Sequence, residues 1–248
     1  MDFLTPYVNV ARHHSDGSAT LTISTEQGSH FAKHVAGDFN PIHNEDAKRY
    51  CVPGDLLFAI ALLRYSLSAS MEFTFLEMLG GNAEIVCPAE TTEHTNPALL
   101  DSNGKPLIAI SAQGPRQKNT DVITALIRSY VRFSGQNFPA ILGPLMQQHG
   151  VMINTQRPLV IYESMGFELD DIHYSDITLA LDNSTLDING KRGTATLFFS
   201  LLSNGKVIGQ GRKKLLLSGL REYDEAAIRI LRDSYLANRD SYQNPNSD

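Results

Sequence analysis

The chain has 248 residues, 42% apolar and 19% charged, which is enough for one large domain or two smaller ones around a sizeable core. Its formal charge of −6 and pI near 5.7 argue against a nucleic-acid surface, since such surfaces need a basic excess to displace counterions. Cys51 and Cys87 are too few for a disulfide framework, no signal-like run opens the chain, and the longest apolar stretch, LLFAIALL at 56–63, is far short of a membrane span; a reducing cytoplasm is the expected compartment.

In chain order, ATLTIS (19–24) alternates as a short strand. Ser24-Thr25-Glu26-Gln27 then has capping-box spacing and predicts a helix through His34. That helix runs into GDFNPIH (37–43), where the residue before proline is pushed out of the α region, so 38–53 is expected to be a loop. From Pro53-Gly54-Asp55 onward, LLFAIALLRYSL is apolar almost all round for three turns, the mark of a buried helix. MEFTFLEML (71–79), AEIVC (83–87) and LLDSNGKPLIAISAQ (99–113) follow, the last with a hairpin turn at SNGK.

The order then recurs. DVITALIRSYVRFSG (121–135) reads as a helix, PAILGPLMQQHG (139–150) as a second, buried one, and PLVIYESMGFEL (158–169) as the next strand. ITLAL, STLDINGKRGTATLFFSLL and NGKVIGQGRKKLLLS supply hairpins with NGK turns. The expected class is α+β, with repeats at 1–119 and 120–220 and a terminal amphipathic helix and polar tail at 221–248. Each repeat wraps an apolar helix in a curved antiparallel sheet, and joining two sheet edges gives a pseudo-dimer within one chain.

GDFNPIH holds the densest chemistry. An isolated Asp-x-Asn-Pro reads as a turn capped by Asp38, with His43 in solvent. With a helix leading in and Gly54 opening the next helix, the same residues read as a ligand site: a carboxylate and an imidazole on a proline-stiffened turn can converge on one water as a general acid/base pair. The second repeat has SGQNFPAIL where the first has AGDFNPIH; glycine and proline keep their separation, but Gln136 replaces the acid and Ile141 the imidazole. One site per chain is therefore expected.

The stretch QGSHFAKHVAGDFNPIHNEDAKRY resembles the hydratase signature of MaoC-like proteins, the (R)-specific enoyl-CoA hydratase branch of the hotdog fold, and the whole chain resembles an uncharacterised bacterial double-hotdog family. The close match covers roughly residues 22–63. The resemblance implies a double hotdog that adds water, syn, to a 2-enoyl thioester or removes it from a 3-hydroxyacyl thioester in fatty acid metabolism. Asp38 and His43 would activate the water, Asn40 would brace the turn, and the Gly54 N–H would meet the thioester oxygen. No cofactor is implied beyond the coenzyme A or acyl carrier of the substrate, whose phosphates would meet Lys48, Arg49 and Arg64. The partner is a small acyl thioester, not nucleic acid or membrane, and a homodimer is left open.

Two departures stand out. Relatives usually show His-Gly-Met where this chain has Pro53-Gly54-Asp55, and the loop between His43 and Gly54 is shorter. A carboxylate at 55 beside the oxyanion position favours an alternative, a non-catalytic holder of acyl thioesters or lipid-like ligands; thioester hydrolysis is a third reading. The second repeat is expected to give the cleft apolar wall rather than chemistry. His30 and His34 have i,i+4 metal spacing but read as a solvated face, Cys51 as a packed thiol, and Arg212-Lys213-Lys214 as solvated strand charges.

Overall fold

The computed structural model describes residues 2–89, 97–156 and 158–243. A short turn of 3-10 helix at Asp2–Leu4 precedes β1 (Asn9–His13) and β2 (Ala19–Thr22), and α1 (Thr25–His30) follows. The capping box closes as expected: Ser24 Oγ accepts from the Gln27 N–H, and the Gln27 side chain accepts from the Ser24 N–H. The helix then widens into a π-turn at Phe31–Ala36 and stops at Gly37, whose φ of 68° suits a residue without a Cβ. The expected loop holds one short helical turn, Pro41–His43, with the Asn40 side chain capping it through the Ile42 N–H.

The buried helix α2 is Gly54–Tyr65, followed by β3 (Leu67–Phe75), β4 (Glu84–Cys87), β5 (Ala98–Asp101) and β6 (Pro106–Gln117). Next come α3 (Thr120–Gly135), a single turn α4 (Asn137–Ala140), α5 (Leu142–Gln148), β7 (Val151–Met152) and β8 (Val160–Leu169). The chain closes with β9 (Ile177–Asn189), β10 (Arg192–Ser203), β11 (Lys206–Ser218), β12 (Arg221–Glu222) and α6 (Glu225–Gln243). Two expectations shift here. Arg221 and Glu222 pair with β7 instead of opening the terminal helix. Residues 241–243 of the expected tail belong to that helix, and 244–248 lie outside the described residues.

Ten strands form one antiparallel sheet in the order β1-β2-β4-β5-β6-β3-β8-β11-β10-β9. The join between the earlier and later strands is β3 against β8, with Met71 opposite Phe167 and Phe73 opposite Met165. The architecture is the expected α+β double hotdog: curved sheet wrapping buried helices, with both sets of strands continuous across β3 and β8. Nine of the twelve α2 residues are buried, so this helix is enclosed by sheet on one side and α3 on the other. Phe58 packs edge-on to Phe73 of β3 at 5.0 Å between ring centroids and against Tyr130 of α3 at 4.7 Å, which ties the two halves through one side chain. A second core cluster gathers Leu142, Leu145 and Met146 of α5 against Leu197, Leu215 and Leu217. Among the described residues no helix is long and apolar enough to cross a membrane.

Candidate functional site

The turn after Gly37 is built by its own polar groups. The Asp38 N–H donates to Ala32 O at 2.8 Å, and Asp38 Oδ1 accepts from the Asn40 N–H at 2.9 Å. The bland reading of Asp38 as a turn cap thus holds for one oxygen, while Oδ2 is left to face His43 Nε2 at 3.7 Å. His43 is fixed from behind: its Nδ1 lies 2.8 Å from Cys51 O. A carbonyl only accepts, so Nδ1 carries the hydrogen and, in the neutral ring, Nε2 has the lone pair that faces Asp38. At 3.7 Å the two groups lie just beyond a direct hydrogen bond, close enough for one water beside them to meet both.

Asp38, Asn40 and His43 share the wall of a cavity of about 440 Å³ with Gly54, Leu57, Phe75 and Leu79. The rest of the lining comes from later in the chain: Phe138, Leu142, Ile153, Val160 and Leu215 are apolar as expected, but Ser134, Asn137 and Tyr162 are not. The expectation of a purely apolar second wall is therefore corrected. The Oδ1 of Asn137, a residue of this lining, is buried and has no hydrogen-bond partner among the described residues.

Gly54 opens α2 at the cavity, and its first-turn N–H has no acceptor within the helix. A Cβ there would lie 2.6 Å from Tyr162 Cδ2, so glycine is what lets the tyrosine ring rest on the helix start. Asp55 is not the loose carboxylate the sequence suggested. It is 2% exposed and turned behind the wall, where it accepts from Ser134 Oγ at 2.7–2.9 Å and from the Tyr162 hydroxyl at 2.8 Å. Lys213, fully buried, donates to Ser134 Oγ and stands 3.5 Å from the centroid of the Tyr162 ring. Burial raises the Asp55 carboxyl and the nearby Asp38 charge adds to this, with Lys213 and the two hydroxyls pulling against it. The same burial lowers the lysine to about 8 although Asp55 favours its charge.

The solvated-strand reading thus fails for Lys213. A signal existed: on a strand of period two, Lys213, Leu215 and Leu217 share a face, and that face is buried. Tyr235 of α6 was also missed. Its hydroxyl accepts from the Phe39 N–H at 3.1 Å and reaches Gly135 O at 3.1 Å and Gly37 O at 3.4 Å, so one oxygen gathers the ends of both helix-to-turn segments aligned above.

The proposed phosphate cations are not brought to the cavity wall. Arg64 lies at the far end of α2 and bonds the carbonyls of Gly17 and Pro88. Lys48 and Arg49 are exposed on the turn after His43. Cys51 is buried, its thiol pushed up to about 11 by desolvation, and it serves the site through its carbonyl. His30 and His34 are exposed and stack at 5.2 Å.

No curated protein matches the chain. Among solved structures, the tesB protein of Mycobacterium avium subsp. paratuberculosis is 8% identical, with 87% of this chain and 97% of that one covered at a TM-score of 0.47. The acyl-CoA thioesterase II TesB2 from Mycobacterium marinum is 11% identical over 88% and 96% at 0.43, and a bifunctional dehydratase-cyclase domain in ambruticin biosynthesis is 10% identical over 87% and 97% at 0.35. Likenesses this loose carry no argument about activity. The model of one family, Protein of unknown function (DUF3581), matches residues 8–226, and since that span is most of the chain, the protein belongs to this family.

Proposed function

We propose that the chain is a MaoC-like hydratase or dehydratase acting on 2-enoyl or 3-hydroxyacyl thioesters. The observation that carries this reading is the pair Asp38 Oδ2 and His43 Nε2, 3.7 Å apart, in the wall of a cavity that also holds the free start of α2. In the hydration direction, the water that meets both gives a proton to His43 Nε2 while its oxygen bonds to the β-carbon. Negative charge grows on the thioester oxygen, where the Gly54 N–H and the α2 dipole oppose it. The protonated pair then returns a proton to the α-carbon on the same face, and one water has added across the double bond. Asn40 holds the turn through Ile42, so its role is positioning.

The feature that favoured a non-catalytic holder was a carboxylate at the oxyanion position. Asp55 is buried behind that wall and hydrogen-bonded, so it does not repel an enolate there as a free carboxylate would. Lys48 and Arg49 remain the candidates for coenzyme phosphates. Loss of the conjugated absorbance of short and medium 2-enoyl-CoAs tests the reading. Asp38→Asn and His43→Ala should each slow it by about 10² or more while the fold persists. Near wild-type turnover in either folded variant would remove the pair from the chemistry.

A further inference from the structure

The hydration scheme uses Asp38, His43 and Gly54 and leaves the polar residues from later in the chain unexplained. There, Asp55, Ser134, Tyr162 and Lys213 arrive from α2, α3, β8 and β11 and bond one another, with Asp55 and Lys213 buried. Stability does not account for such a group, because buried charged sets of this kind are commonly neutral or inferior to well-packed apolar side chains of the same volume. Its pattern has chemical direction. Ser134 Oγ donates to Asp55, accepts from the Lys213 ammonium, and lies beside the Tyr162 hydroxyl; of the four residues, Ser134 and Tyr162 reach the cavity surface.

Resting on the acyl-thioester part of the preceding reading, we propose that Ser134 is a second reactive centre: a nucleophile that takes the acyl group from a thioester bound in the same cavity. In the first half-reaction, Ser134 Oγ adds to the thioester carbonyl and its proton passes to the Asp55 carboxylate. The Lys213 ammonium, bonded to the same oxygen, favours the developing alkoxide. The oxyanion lies toward the N–H of Gly54, whose helix start carries the Tyr162 ring. The carbon–sulfur bond then breaks, and Tyr162 gives its proton to the departing sulfur while taking the one on Asp55, with which it shares a hydrogen bond. The products are a free thiol and an acyl-serine ester. Water attacks the ester by the same route: its proton reaches Asp55 through Tyr162, the carboxylic acid leaves, and Ser134 regains its proton from Asp55. Nucleophile, base, proton carrier and oxyanion donor are then all supplied by residues in contact, which is the set acyl transfer requires.

The test uses substrates with no double bond to hydrate. The folded wild-type chain is treated with an eight-carbon alkyl fluorophosphonate and mapped by peptide mass spectrometry; in parallel it is given octanoyl-CoA and released thiol is followed. The expected result is one phosphonyl group on the peptide holding Ser134, with thiol release that falls by about 10² or more in Ser134→Ala. His43→Ala should lose hydration of 2-enoyl-CoA and still take the label, which separates this centre from the Asp38–His43 pair. No label on Ser134 in the wild type, or thiol release that survives Ser134→Ala, overturns the proposal whatever the hydration assay gives.

Discussion

Removing one oxygen, as Tyr235→Phe, isolates what α6 does for the site. The ring keeps its edge-on packing against Phe39 and Phe138, at 5.9 and 5.5 Å, so little apolar contact is lost. What disappears is the acceptor of the Phe39 N–H and the donor to Gly135 O, both at 3.1 Å; the 3.4 Å approach to Gly37 O is long and adds little. Leaving a buried backbone donor and a buried carbonyl unpaired costs about 1–3 kcal/mol each, so a loss of about 3 kcal/mol is expected. For a chain of this length each kcal/mol lowers Tm by roughly 2–4 °C, which makes the shift about 6–12 °C. Because Phe39 sits beside Asp38, turnover should fall as well, by a misplacement effect rather than by loss of a reacting group. Denaturant titration and thermal melting read the first effect, the 2-enoyl-CoA assay the second. A stability change under about 0.5 kcal/mol would show that α6 does not tie the two turns together.

Gly135→Ala would put a Cβ 2.0 Å from Ala36 O, so α3 must retreat from the segment carrying Asp38; about 1–3 kcal/mol of stability should be lost in equilibrium unfolding, and an unchanged value would contradict the close approach. Lys213→Met tests the hydrogen-bonded cluster through pH: the folded lysine releases its proton near 8 and the unfolded one near 10.5, so between these values the unfolded state binds more protons and wild-type stability should rise with pH, by about 3 kcal/mol at most, a rise the variant lacks in denaturation curves. Asn137→Leu removes a buried amide oxygen that has no partner, so the melting temperature should hold or increase; a clear decrease would show that the amide is satisfied in the folded chain.

Much of this was legible from local pattern. The S-x-x-Q capping box, the pre-proline break at Asn40 and the unbroken apolar run after Gly54 each record a short-range constraint, and each forms where the spacing puts it. The Asp38–His43 pairing was legible for the same reason, since five residues of one stiff turn fix it. Asp55 was misjudged because its partners Ser134, Tyr162 and Lys213 are 79, 107 and 158 residues away, and no periodicity on α2 reports them. Only the inward position of Lys213 beside Leu215 and Leu217 left a mark. Tyr235 was hidden differently: on an amphipathic helix a tyrosine seven residues after Ile228 reads as ordinary core, and nothing in the pattern says that its hydroxyl meets backbone 100 and nearly 200 residues back.

The location of both polar groups follows from joining two halves in one chain. A sheet that continues across β3 and β8 brings the start of α2 against the end of α3, and the close packing at Gly135, with Ala36 O where a side chain would be, leaves the two turns back to back. Two identical units packed this way would have to repeat one turn sequence on both sides. A single chain does not: Asp38 and His43 follow Gly37, while Gln136 and Ile141 stand at the same distances after Gly135. Freed of that requirement, α3 presents Ser134 to the cavity one residue before Gly135, and the strands behind it supply Tyr162 and Lys213. The Asp38–His43 pair and the hydrogen-bonded cluster of Asp55, Ser134, Tyr162 and Lys213 are therefore neighbours, joined where Gly135 packs on the Asp38 turn. On the proposed reading, an acyl thioester would place its carbonyl end next to the α2 N-terminus and within reach of both groups, so changes to either group should alter how the same bound substrate is processed before they alter whether it binds.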